Sequence, residues 1–386
     1  MKKYFSVGLA VLCLPLTSCF DSCGVYPGND ELAKNRQISI ASWNVQALFD
    51  GSDEGIEYED YRPTNGWNAE KYEARLTAIA AALDGVCERG PDVAVLIEVE
   101  NSGVIDTLGN NYFKKNGYVH RLFAGNPGYS LGVGILSRYS ITKYTVHSSN
   151  KLNEVLPRPI AEIHLEPGGS PLVLFICHWK SKLGGDESTE KMRREAARLI
   201  IRRGTEIHAE NPRIPILVLG DLNENYDEFY RREEKAVCAL MPDDPAAARY
   251  AGFLTENAAA SVGDTEDTDI LENAVFKEES PQDFLVLSSL NPPCSAFFPY
   301  ATGVYYTPWG SELGNGSYYY KGVWETIDHF LLSPEFWQEN GWQFQSVSVL
   351  NMEPFTNSKG EPASYNARTG FGLSDHLPLL LILNLN

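Results

Sequence analysis

A short, wholly apolar run closed by a glycine and two polar residues constrains this chain most. Ile216, Leu217, Val218 and Leu219 lead into Gly220, Asp221 and Asn223, within the stretch from Pro215 to Asn225. A run of β-formers of this length, bounded by a glycine, reads as a buried central strand. The glycine permits a sharp turn or a close backbone approach at the strand's end. Asp221 and Asn223 are then delivered at the rim of the core, two residues apart and so on one side. Asp and Asn are also ordinary turn residues, and this stretch alone leaves a polar turn as an equal reading. Three further polar clusters at strand ends tip the balance toward a site: HWKSK at His178 to Lys182, IDHFLLS at Ile327 to Ser333, and SDHLP at Ser374 to Pro378.

The rest of the chain supplies strands of the same kind and few helices. Gln37 to Leu48 reads as a first strand, with Ile38, Ile40, Ser42 and Asn44 on one face. Val93 to Asn101, Ser130 to Arg138, Arg158 to Leu165 and Pro171 to Lys182 read as further strands, and Gln345 to Met352 and Pro378 to Leu385 as the last two. Leu76, Ile79, Ala80, Leu83 and Cys87 fall at helical spacing within Ala69 to Cys87. A second helix, from Thr189 to about Ala209, is expected to turn Met192, Ala196, Leu199, Ile200 and Ile207 inward. Its basic residues (Lys191, Arg193, Arg194, Arg198, Arg202 and Arg203) read as the solvated face of a covering helix rather than a phosphate-binding strip.

Residues 225–322 form a long, irregular insert with an acidic helical patch at Asp227 to Leu240. Its run Tyr318-Tyr319-Tyr320 suits either a groove wall or local core. Strands interleaved with so few helices, some joined as hairpins, do not suit a doubly wound parallel sheet. Two packed mixed sheets with helices outside, an α+β or α/β four-layer αββα sandwich, fit better.

Export is written at the start. Lys2 and Lys3, an apolar run from Val7 to Leu16 and a small-residue site ending in Cys19 read as a signal peptide over residues 1–18. Leu16-Thr17-Ser18-Cys19 resembles a bacterial lipobox, which makes Cys19 the lipid-modified residue. Residues 19–36 read as a flexible tether and 37–386 as the catalytic domain. The expected location is the cell envelope, anchored by lipid to a bacterial membrane and spanning none, as a monomer. With 32 Lys+Arg against 51 Asp+Glu the net charge is −19, which opposes non-specific coating of nucleic acid. No CxxC pair supports structural zinc.

Asn44, Glu98, His178, Asp221, Asn223, Asp328, Asp375 and His376 all lie at or near the ends of apolar strands. A carboxylate within an apolar strand, Glu98 above all, is costly unless it is paired or bound to a cation. Oxygen ligands without clustered Cys or His favour a hard cation, Mg²⁺ before Mn²⁺ or Ca²⁺. Such a cation, two histidines and an Asp/Asn pair match the needs of phosphoester hydrolysis: neutralised charge at the phosphate, an activated water, and donors for the equatorial oxygens.

The ordered series SWNVQ, IEVEN, HWKSK, GDLNEN, IDHFLLS and SDHLP resembles the endonuclease/exonuclease/phosphatase family, with its deoxyribonuclease I-like fold. The forms IEVEN and HWKSKLGGD look most like its secreted bacterial nucleases. The resemblance implies that Glu98 is the metal-binding glutamate, with Asn44 and Asp375 beside the metal. It implies that His178 and His376 are the catalytic histidines, Asp221 the aspartate that positions water, Asn223 a phosphate ligand, and Asp328 the carboxylate behind His376. Arg158 and Lys180 are implied substrate contacts. No carboxylate partner for His178 is evident, and His120, His147, His164, His208 and His329 match no catalytic position. The reading is a cation-dependent nuclease acting on DNA or RNA. Its rivals are a phosphoesterase of the same fold acting on phospholipid headgroups, inositol phosphates or nucleotides, and a non-catalytic envelope binding protein.

Overall fold

A computed structural model describes residues 36–149, 155–253, 282–298, 301–310 and 313–386. The expected signal peptide at 1–18, Cys19 and nearly all of the expected tether at 19–36 lie outside these residues, as does part of the insert. The strands are β1 (Gln37–Leu48), β2 (Val93–Val99), β3 (His120–Ala124), β4 (Gly132–Ser137), β5 (Ile141–Ser149), β6 (Val155–Leu165), β7 (Leu172–His178) and β8 (Ile216–Asp221). They continue as β9 (Leu240–Pro242), β10 (Leu285–Ser288), β11 (Val304–Tyr306), β12 (Tyr318–Tyr320), β13 (Val323–Glu325), β14 (Asp328–Leu332), β15 (Trp342–Val349) and β16 (Leu379–Leu385). Helix α1 spans Ala69–Asp84, α2 Ser102–Thr107 and α3 Asp186–Glu210; Glu228–Arg231 and Pro245–Tyr250 form short helices.

Two mixed sheets result, one ordered β15-β16-β1-β2-β4-β3 and the other β5-β6-β7-β8-β14-β11-β10-β9. Alternation along each strand decides the layers. Ile38, Ile40, Val93, Val95 and Ile97 of the first sheet meet Leu174, Ile176, Leu217, Leu219, Phe330 and Leu332 of the second in one buried interior. The opposite faces carry α1 on Trp43, Ala94 and Leu96, and α3 on Val173, Phe175 and Val218. This is the four-layer αββα sandwich that the strand pattern implies. β10 and β11 extend the second sheet, so the insert continues the fold.

Three local expectations are corrected. Met192 is 42% exposed and Arg193 fully buried, because the inward stripe of α3 runs through Glu190, Arg193, Ala197, Ile200 and Gly204. Arg193 is tolerated there because its guanidinium meets Glu224 at 2.5 Å and Glu190 at 2.6 Å. The acidic patch holds one helical turn at Glu228–Arg231, which stops where Glu233 and Glu234 take positive φ. The penultimate strand begins three residues earlier than its polar pattern suggests, at Trp342, whose buried indole donates to Ser170 O at 3.1 Å.

Candidate active site

Strand parity carries polar side chains to one end of the interior. His178 continues the inward series of Leu174 and Ile176, Asp221 that of Leu217 and Leu219, and Asp328 that of Phe330 and Leu332. β7 runs parallel to β8, and β14 antiparallel to it. His178 therefore pairs with Asp221, and Asp221 with Asp328, in one row across three strands. Gly220 makes the row possible: its φ is +124°, and a Cβ there would lie 2.1 Å from Cys177 O.

The facing sheet brings Asn44, Glu98, Asp375 and His376 against this row. Asn44 Nδ2 donates to Asp221 Oδ2 at 2.9 Å, and Asn223 N donates to Asp221 Oδ1 at 2.9 Å. Strict alternation would turn Glu98 toward α1 with Ala94 and Leu96. A β-bulge between Ile97 and Val99, with Glu98 at φ +68°, redirects it. Its Oε1 stands 3.7 Å from His178 Nε2, and its Oε2 accepts from Ala47 N at 2.8 Å. The segment before β16 is stapled to β1: Ser374 Oγ donates to Asn44 O at 2.6 Å and Trp43 Nε1 to His376 O at 2.9 Å. His376 Nδ1 meets Asp328 Oδ2 at 2.7 Å, and Ser317 Oγ donates to the same oxygen at 2.6 Å.

Burial and mutual charge set the protonation states. Burial raises Glu98, and Asp375 raises it further; Asp375 is itself raised, chiefly by burial. Burial and the neighbouring Asp328 push Asp221 up to about 7. Burial opposes charge on His376, but Asp328, Asp375 and Asp221 outweigh it and hold its pKa up at about 10. Burial, with Arg158 nearby, holds His178 well below the usual histidine value, so its ring is neutral. Two histidines in one cleft are thus driven to opposite charge states.

Two groupings could hold a cation. Asp221, Asp328 and His376 have ligand atoms within 4.8 Å of one another, but each is already hydrogen-bonded and buried. Glu98 and Asp375 fit better. Their side chains are 21% and 30% exposed, and Asp375 adds to the burial that raises the Glu98 carboxyl, a cost that a bound cation would relieve. Two partly exposed carboxylates beside a buried amide suit a hard cation that keeps some of its water.

The remaining expected residues divide. Arg158 faces Glu98 and His178 closely enough to influence both. Lys180 Nζ is taken up by Ser181 O at 3.1 Å and Leu183 O at 2.9 Å, capping its own loop. His178 Nε2 lies 3.8 Å from Asp221, and its Nδ1 has no hydrogen-bond partner among the described residues. His147 and His164 both meet Glu162, while buried His329 meets Glu224 O; none reaches the cleft.

Three supporting residues receive no role from the motifs, although Gln46 closes SWNVQ. Gln46 and Ala47 lie at φ +54° and +55°, and their amides serve Asn44 Oδ1 and Glu98 Oε2. Arg75, 2% exposed in α1, donates to Val45 O, Gln46 O and Ala47 O at 2.5, 2.5 and 3.0 Å. The Gln46 side chain also accepts from Asp375 N at 2.9 Å. The available signal was an arginine beside Leu76 and four residues from Ile79, at the buried phase of an apolar helix stripe.

A sandwich whose two sheets gather carboxylates and histidines of opposite charge state at one edge defines a phosphodiesterase-type hydrolase. The chain belongs to the endonuclease/exonuclease/phosphatase family, whose model matches residues 39–246 and whose enzymes depend on a divalent cation. Similar solved structures include TDP2 of D. rerio complexed with a single-strand DNA product, at 14% identity over 91% of this chain and 100% of that one (TM-score 0.48). They also include a family protein of Bacteroides thetaiotaomicron at 15% identity over 91% and 98% (TM-score 0.47). The human Nocturnin catalytic domain with bound sulfate matches at 14% identity over 91% and 96% (TM-score 0.45). No curated protein matches the chain.

Proposed function

We propose that the protein is an extracytoplasmic, Mg²⁺-dependent nuclease cleaving phosphodiesters of DNA or RNA. The observation that carries this reading is the meeting of Asn44, Glu98, Asp375 and His376 from one sheet with the His178–Asp221–Asp328 row of the other. Glu98, with Asn44 and Asp375 beside it, would hold the cation, which would supply positive charge to the phosphate. Asp221 orients and deprotonates the attacking water, held in place by Asn44 and the Asn223 amide. Charged His376 donates to a phosphate oxygen through Nε2, since Asp328 occupies Nδ1. Neutral His178 and Asn223 contact the other oxygens, and Arg158 holds the strand. In-line attack of this water on phosphorus breaks the P–O3′ bond, leaving a 5′-phosphate and a 3′ oxygen that takes its proton from solvent to become the 3′-hydroxyl. The test incubates residues 24–386 with plasmid, linear DNA, RNA and sphingomyelin under Mg²⁺, Mn²⁺ or EDTA. Nucleic-acid cleavage abolished by EDTA supports the reading; hydrolysis of sphingomyelin alone replaces it with the phospholipid reading.

Export and lipidation at Cys19 complete the proposal. Cys87 is disulfide-bonded, as an oxidising compartment permits. No helix among the described residues is long and apolar enough to cross a membrane. Cys19→Ser is expected to leave an unprocessed or freely soluble form in cell fractionation. Wild type found wholly soluble with an unmodified N-terminus would refute the anchor.

A further inference from the structure

We propose that the β12–β13 hairpin is a base-stacking subsite for single-stranded nucleic acid, with Tyr320 as its platform and Lys321 at its outer end. The proposal rests on the nuclease reading above and deepens it. Lys321 and Gly322 close the hairpin at φ +49° and +88°, the two positive values a tight type I′ turn demands. Pairing of Tyr318 with Glu325, Tyr319 with Trp324 and Tyr320 with Val323 fixes the register.

Alternation then splits the three tyrosines. Tyr319 packs against Trp324, with ring centroids 5.1 Å apart. Tyr318 and Tyr320 share the other face and stack 6.1 Å apart, their planes only 13° from parallel. The Tyr318 ring lies 4.5 Å from that of His376, and Leu377 N donates to Ser317 O at 2.7 Å, fastening the hairpin to the catalytic segment. Lys321 Nζ lies over the Tyr320 ring, 4.9 Å from its centre, so a base that stacks there displaces the ammonium, which is left free to meet a phosphate. The series His376, Tyr318, Tyr320, Lys321 therefore leads from the buried site to solvent, where Tyr320 is 50% exposed.

Charge explains why such a ladder is needed. A protein of net charge −19 repels a polyanion at long range, and Lys180 is spent on its own loop. Binding cannot then rest on many phosphate contacts. Base stacking acts at short range and serves any sequence, because every base has a π-face. Bases within a duplex are already stacked on one another, whereas a single strand has free faces.

The experiment compares wild type, Tyr320→Ala and Tyr320→Phe on three substrates: a single-stranded oligothymidylate, an abasic oligomer of equal length, and bis(4-nitrophenyl) phosphate. Tyr320→Ala should lower kcat/KM for the oligothymidylate relative to bis(4-nitrophenyl) phosphate by about tenfold, through KM, the scale of one stacked base. Tyr320→Phe should restore the ratio, and the abasic oligomer should not show the drop. Equal losses on all three substrates, or none, would overturn the subsite and leave the nuclease reading standing. Wild type that cleaves plasmid or RNA but neither oligomer overturns the subsite alone; hydrolysis of bis(4-nitrophenyl) phosphate with no cleavage of plasmid, RNA or oligomer overturns both.

Discussion

Asp328→Asn is expected to lower kcat by roughly 10²–10⁴-fold, the usual scale of an acid–base group, while the protein stays folded. Asparagine keeps the shape and can still accept from Ser317 Oγ, 2.6 Å away in the wild type, but it removes the charge facing His376 Nδ1 at 2.7 Å. His376 has burial against its charged form and Asp328 as the largest support for it. With that support gone the imidazolium loses its proton at lower pH, so the alkaline limb of the rate profile moves down. Stability should follow the same sign. The pKa is raised in the folded state, so this contribution is full below the ordinary histidine value and lost as pH rises toward about 10. His376→Ala should cost about as much as the double variant, since groups acting as a unit are not additive. Multiplicative losses in the single variants, with an unmoved alkaline limb, would show that the two act separately.

Glu98→Gln should abolish most cation binding. Even the outer partners of metal ligands cost roughly 10–100-fold in affinity when changed, so loss of a principal ligand should exceed about 100-fold. The backbone comparison is fair, because Gln meets the same strain at φ +68° and can still accept from Ala47 N. Without cation, the variant should melt no lower than wild type, since it removes a carboxylate that burial and Asp375 both disfavour. With cation, wild type should gain a thermal shift that the variant lacks. An unchanged titration by calorimetry would sink the assignment.

The inward face of the second sheet was legible because apolar alternation and polar strand ends share one period. Leu217 and Leu219 announce Asp221, and Phe330 and Leu332 announce Asp328. Glu98 was legible as a carboxylate in an apolar strand, but not its direction, since parity points it toward α1 and only the bulge turns it back. Met192 and Arg193 mislead for a different reason: hydropathy rewards the methionine, whereas helical phase and the acidic pair Glu190 and Glu224 bury the arginine. The tyrosine run left two uses open, and pairing into a hairpin serves both at once, Tyr319 packing on Trp324 and Tyr318 on His376.

Arg75 joins a helix to a site it never touches. Its guanidinium, 3.8 Å from the Tyr365 ring, holds the carbonyls of the very residues whose amides hold Asn44 and Glu98. Linkage runs both ways through such a clamp. Whatever tightens Glu98 must also tighten the hold on α1, so the amide protons of that helix should exchange more slowly when the cleft is filled. A helix on the outer layer thereby becomes a reporter of occupancy in the cleft.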